Sequence, residues 1–164
     1  MKSVERQWLE PVPWENVVAH NKILCNADQV QFTTNEKALG AARHCWEAAV
    51  KKSTSLTEVL LVCRKCHDLA PFVFNNGNTF GSIAKTLIED WLRGMPPLEA
   101  QIVRGTVSHY VVGLVGKREL NDVLKHFEPV LKKGPAPRTP AAAQSSDSTT
   151  TTASIQTAPA SQAV

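Results

Sequence analysis

Three residues in the middle of the chain have both the types and the spacing for chemistry. Cys63, Cys66 and His67 lie in the stretch LVCRKCHDLAPF at 61–72 and spell C-x-x-C-H. On a helix, two thiols three residues apart can each form a thioether to a haem vinyl group, and the imidazole that follows can ligate the iron. With one more thiol from a neighbouring helix, the same side chains would make a Cys3His zinc set. Cys45 is the candidate. If residues 35–51 and 55–70 form an antiparallel hairpin about Ser53, Cys45 falls level with residue 61. At about 1.5 Å rise per residue it then comes within about a turn of Cys63.

Over these five residues, and in the dipeptide Met95-Pro96, the chain resembles the class I c-type cytochromes. That resemblance implies covalent haem c, with His67 below the iron and Met95 as the second axial ligand. In that family the motif sits on the first helix, whereas here a strongly helical segment precedes it. Zinc sites, for their part, usually draw ligands from a loop or knuckle, and Cys66 and His67 point about 100° apart on an ideal helix. A third reading needs no ligand. Cys45, Cys63 and Cys66 fall on the same stripes as the Leu, Val and Trp residues of their helices, and free Cys is among the most buried residue types. His67 then sits at the edge of the core. The core reading is the expectation, with no cofactor; zinc or haem c is the alternative.

The elements that must position these residues read as helices. Thr33 and Glu36 are spaced as a capping box, and Ala38, Leu39, Ala42, Cys45, Trp46 and Ala49 follow on one stripe. Ser55 and Glu58 form a second box. Its helix carries Leu56, Val59, Leu60, Cys63 and Cys66, and Pro71 ends it. The sequence NNGN at 75–78 predicts a turn, with a third helix starting near Thr79 and stopped by Gly94. Pro97 suits the first turn of a fourth helix, which Gly116 closes, and a fifth runs from about Lys117 to Lys132. The fold class predicted is all-α: a compact bundle of about five helices spanning 1–133. Its first part, 1–32, is an irregular or partly helical arm, because Pro11 and Pro13 interrupt it. From 134 to 164 the chain is rich in Ala, Ser, Thr and Pro and has no aromatic residue. Such a segment cannot bury enough apolar surface to offset its ordering entropy, so a disordered tail is expected.

Composition narrows the function. The 164 residues carry a net charge of +3, with 43% hydrophobic and 20% charged residues, which suits an ordinary globular domain. No run of about 18 apolar residues is present to span a membrane. The first residues lack the continuous apolar core of a secretory signal, so a cytoplasmic protein with reduced thiols is expected. No G-x-x-x-x-G-K-[ST], G-x-G-x-x-G or G-x-S-x-G motif occurs, and His109, near Thr106 and Ser108, reads as a core or interface histidine rather than a general base. Arg64 and Lys65, with Arg43 and Lys37, would make a basic patch for nucleic acid. Phe72 and Phe74, beside Asn75, Asn76 and Asn78, would make an apolar surface with amide hydrogen bonds at its rim. The function expected is a non-enzymatic interaction or adaptor subunit that presents a helical surface to another protein. A metal- or haem-binding protein is the second reading and a nucleic-acid-binding subunit the third.

Overall fold

Short polar side chains and a few glycines set the helix limits in the computed structural model, which describes residues 5–131, with side chains as far as residue 127. Among these residues six helices follow one another: α1 (Trp14–Ala27), α2 (Glu36–Val50), α3 (Leu56–Leu69), α4 (Asn76–Leu92), α5 (Pro97–Val111) and α6 (Lys117–Leu131). Among the described residues there is no strand, only two isolated bridges, Arg6 with Thr54 and Thr34 with Phe72. The all-α bundle holds, with one helix more than expected. The tail expected at 134–164 lies outside the described residues. No helix described is long and apolar enough to cross a membrane.

The extra helix is α1, inside the arm. Pro13 does not break it but caps it, with φ −61° and ψ 160° immediately before Trp14. Trp14, Val17, Asn21 and Cys25 then form its buried face. The start of α2 also differs from the expectation. Asn35, not Thr33, is the N-cap, accepting from the Ala38 N–H at 3.4 Å, while Glu36 accepts from the Thr34 hydroxyl. Thr33 is held elsewhere: its carbonyl accepts from the Val73 N–H at 3.0 Å, and the Asn35 N–H donates to Pro71 O. Pairing with 71–73 keeps it extended and outside the helix.

Ser55 caps α3 as predicted. Its hydroxyl accepts from the Glu58 N–H, and the Glu58 carboxylate accepts from the Ser55 N–H at 2.8 Å. Ala70, in the left-handed region at φ 50°, ends α3 just before Pro71. The NNGN stretch proves to be the first turn of α4, with Asn75 at φ 63° as its cap. Asparagine tolerates that conformation, so one residue both turns the chain and starts the helix. Gly94, at φ 83°, ends α4 as expected. At the end of α5 the stop is Gly113, also at φ 83°. The Leu114 N–H reaches back to His109 O and the Gly113 N–H to Tyr110 O, the paired bonds of a Schellman motif. Gly116 instead opens α6, accepting from the Leu120 N–H at 3.0 Å.

Helix α3 packs against α2, α4 and α5, while α4 also packs on α1. Their shared core is aromatic. Trp46 is wholly buried, 6.2 Å from Trp14 and 6.1 Å from Phe80, and Phe72 lies 6.3 Å from both Trp14 and Phe80. Such ring pairs add about 0.5–1.5 kcal/mol each beyond their buried area. The indole N–H of Trp46 donates to Val12 O at 2.9 Å, so no polar atom is stranded. Ahead of α1, the Arg6 guanidinium lies 3.6 Å over Trp8 and 5.6 Å from Trp91, and the Trp8 N–H donates to Thr54 O. These contacts fasten the segment across the ends of α2 and α4.

The two predicted caps separate cleanly in experiment. Ser55→Ala should cost about 1 kcal/mol, and Thr33→Ala almost nothing, as measured by urea unfolding of each variant. The box should also weaken in acid. Hydrogen bonds from Ser55 hold the Glu58 carboxyl below its ordinary range. Its contribution is therefore present above the unfolded-state value and lost as pH falls through the folded one. The Ser55→Ala penalty should accordingly shrink as the pH is lowered through the carboxylate range.

Candidate functional site

The capping box at Ser55 fixes the rotational phase of α3, and the phase decides what C-x-x-C-H can do. Cys63 and Cys66 join Leu56, Val59 and Leu60 on the buried face, both with no exposed surface. The Cys66 thiol points across to α2, donating to Ala42 O at 3.6 Å. Cys45, one turn beyond Ala42, is half-buried and packs against the same core. Burial pushes the Cys63 thiol up to about 12, and burial together with Cys45 and Cys63 pushes Cys66 up as well. Both are therefore neutral thiols near pH 7, whereas a metal takes the thiolate.

His67 lies on another face. Its Nδ1 is 3.2 Å from Asp68 Oδ1, and its Nε2 lies 3.9 Å from where a side-chain carbon on Gly77 would stand. The structure thus brings Cys45, Cys63 and Cys66 together and leaves His67 out. Among the described residues no three His, Cys, Asp or Glu side chains are placed to share a metal ion. Met95 is buried beyond the far end of α4, about 25 Å along that helix from the His67 end at 1.5 Å per residue. The pairing of His67 and Met95 about one iron, implied by the cytochrome resemblance, is not what this fold provides.

The loop between α3 and α4 is built by asparagines. The Phe72 N–H donates to Asn76 Oδ1 at 3.1 Å, and Phe72 O accepts from Asn76 Nδ2. One side-chain amide thus satisfies both backbone groups, as a neighbouring strand would. The Phe72 ring is thereby pressed into the core, 2% exposed, so the expectation that it lines a binding surface gives way to a packing role. Asn75 donates to Asp28 at 2.9 Å, and Asn78 to Asn75 at 3.0 Å. The amides expected at the rim of a binding surface are therefore engaged within the fold.

Sequence reasoning passed over Asn21, which is completely buried. It donates to Phe74 O and to the Thr79 hydroxyl, both at 2.9 Å, and accepts from the Cys25 thiol. His20 shares a 2.6 Å hydrogen bond with Ser82, whose hydroxyl also lies 2.6 Å from Asn78 O. The signal was present: Asn21 is in helical register with Trp14, Val17 and Cys25, a face that only becomes visible once Pro13 is read as a cap.

What this polar framework leaves outside is apolar. Leu69 at the end of α3, Val73 and Phe74 in the loop, and Leu114 after α5 are exposed by 39%, 53%, 44% and 76%. They belong to one end of the bundle. A side-chain carbon on Gly77 would lie only 3.2 Å from Val112, so the start of α4 and the end of α5 approach closely there.

The expected basic patch is divided. Arg64 spans the α3–α5 seam, donating to Val115 O at 3.3 Å and lying 5.1 Å from the Tyr110 ring. Arg43 faces α1 and pairs with Glu47 at 2.7 Å and Glu15 at 3.5 Å. Lys37 and Lys65 are exposed, and so is His109, which was expected in a core or interface. An open cleft of about 310 Å³ lies between Pro13, Trp14, Glu15, Glu47, Val50 and Lys51, with its carboxylates already shared by Arg43.

Three substitutions test this assignment by urea unfolding. Asn76→Ala should cost about 1–3 kcal/mol, because the Phe72 N–H and C=O lose their partner, while Asn78→Ala should stay within about 0.5 kcal/mol. Cys63→Ser should cost about 1–3 kcal/mol by burying a hydroxyl in place of a thiol. Complete unfolding of Cys63→Ser would instead mark a metal ligand. In comparisons with protein families, curated proteins and solved structures, nothing matches this chain.

Proposed function

We propose that this chain is a non-enzymatic helical interaction module whose contact surface is the end of the bundle bearing Leu69, Val73, Phe74 and Leu114. The observation that carries this reading is that all four are exposed on segments that meet at one end of the bundle, where the nearby amides already have partners. Isolated exposed apolar residues are normal, but a group of large ones rimmed by charge is the usual mark of a protein-binding surface. Asp28, Asp68 and Arg64 supply that rim. A partner protein with an apolar anchor fits it better than nucleic acid does, because Arg64 and Arg43 are turned to different helices and are already engaged.

Zinc or haem would have to rest on Cys45, Cys63 and Cys66 without His67, and elemental analysis with an absorbance spectrum on protein purified without chelator checks it. About one metal per chain would displace the adaptor reading.

The surface itself is tested with a photo-crosslinking amino acid placed at Phe74 and, as control, at exposed Ala48 on α2. Position 74 should yield discrete protein adducts in the native host, Ala48 should not, and adding Leu114→Asp should remove them. Equal adducts from both sites, or none, would sink the proposal. Adducts that disappear with nuclease would favour the nucleic-acid reading instead.

A further inference from the structure

The α2–α3 seam holds three thiols. Ala42 and Cys45 are one turn apart on α2, and Cys63 and Cys66 one turn apart on α3. The Cys66 thiol lies against Ala42 O at 3.6 Å, one turn from Cys45 on α2. The helices meet here through small side chains, with Ala42 wholly buried, which favours the short backbone separation a disulfide needs. Of the three thiols only Cys45 reaches solvent. The fourth cysteine, Cys25, is buried in α1 and hydrogen-bonded to Asn21. An accessible thiol facing a helix that carries buried ones is the arrangement of a reactive and a resolving cysteine.

We infer that Cys45 and Cys66 are a redox couple, closing a reversible disulfide across the α2–α3 seam on exposure to a small-molecule disulfide. In the first step the Cys45 thiolate attacks one sulfur of the small disulfide. A mixed disulfide forms and one small thiol leaves. Cys66 then gives up its proton, attacks the Cys45 sulfur and expels the second small thiol, which takes up a proton. Two protein thiols are oxidised and one small disulfide is reduced to two thiols, so atoms and electrons balance. Cys66 is held neutral by its surroundings, so the second step waits on a local opening of the seam and is the slower of the two. Cys63 stays a thiol throughout. This inference stands apart from the interaction surface, and neither depends on the other.

Trypsin separates the candidates. Cleavage after Arg43, Lys51, Lys52, Arg64, Lys65 and Lys85 places Cys45, Cys63 and Cys66 on three different peptides. The full chain is equilibrated with mixtures of reduced and oxidised glutathione, blocked with an alkylating agent, digested and mapped. The expected result is a fall from four free thiols to two, with the 44–51 peptide joined to the 66–85 peptide, and recovery of all four on returning to reduced glutathione. Cys45→Ser should abolish the link and Cys25→Ser should leave it intact, with circular dichroism confirming that both variants are folded. Because mapping of the unmodified chain decides the matter, a poorly folded variant does not blunt the test. Four thiols persisting in oxidised glutathione, a stable mixed disulfide on Cys45, or a link from 44–51 to 53–64 would each overturn the proposal.

Discussion

One side-chain amide holds one end of this fold in shape. Between Ala70 and Asn75 the chain must reverse from α3 into α4 while inserting a phenylalanine into the core. An extended segment has backbone groups to satisfy, and Pro71 offers no N–H. Asn76 answers the Phe72 N–H and C=O together, and Thr33 O takes the Val73 N–H. With Phe72 fixed, its ring completes the contact between Trp14 of α1 and Phe80 of α4. Released, the loop would leave two polar groups and an aromatic ring without their places, and the surface carried by Val73 and Phe74 would lose its base.

The same interaction explains why that surface was only half legible. The notion of an apolar cluster around an asparagine-rich connection is right in composition, but nothing in FVFNNGN says which phenylalanine is inside. The allocation of Phe72 to the core and Phe74 to solvent follows from Asn76 gripping the first and Asn21 binding the carbonyl of the second. Both grips come from side chains whose partners are decided by tertiary packing. Asparagine amides suit a partner's hydrogen bonds, but here the fold itself is the partner.

Elsewhere local rules carried further. Ser55 with Glu58, Gly94 and Pro97 mark helix limits by chemistry that acts within one turn, and they act as read. Thr33 failed as a cap because pairing with 71–73 outweighed it. The arm hid α1 because a proline before a helix and one inside it look alike until the first apolar turn is counted. C-x-x-C-H illustrates the limit of a motif: on a regular helix its last two members diverge by about 100°. Burying both cysteines on the core stripe therefore sends His67 towards Gly77 and Asp68. A motif specifies residues, whereas a site also needs phase.

Helix α6 is secured differently from the rest. It packs chiefly on α5, with Leu120 and Phe127 as its buried anchors among the described side chains, and takes no part in the aromatic centre shared by α1, α2 and α4. An element with fewer packing partners is the first expected to open locally. Its amide protons would exchange with solvent long before those of α3 and α4, while the remaining helices kept their protection. On that account α6 would be the first of the described helices to open, and Leu114 lies in the turn that joins it to α5.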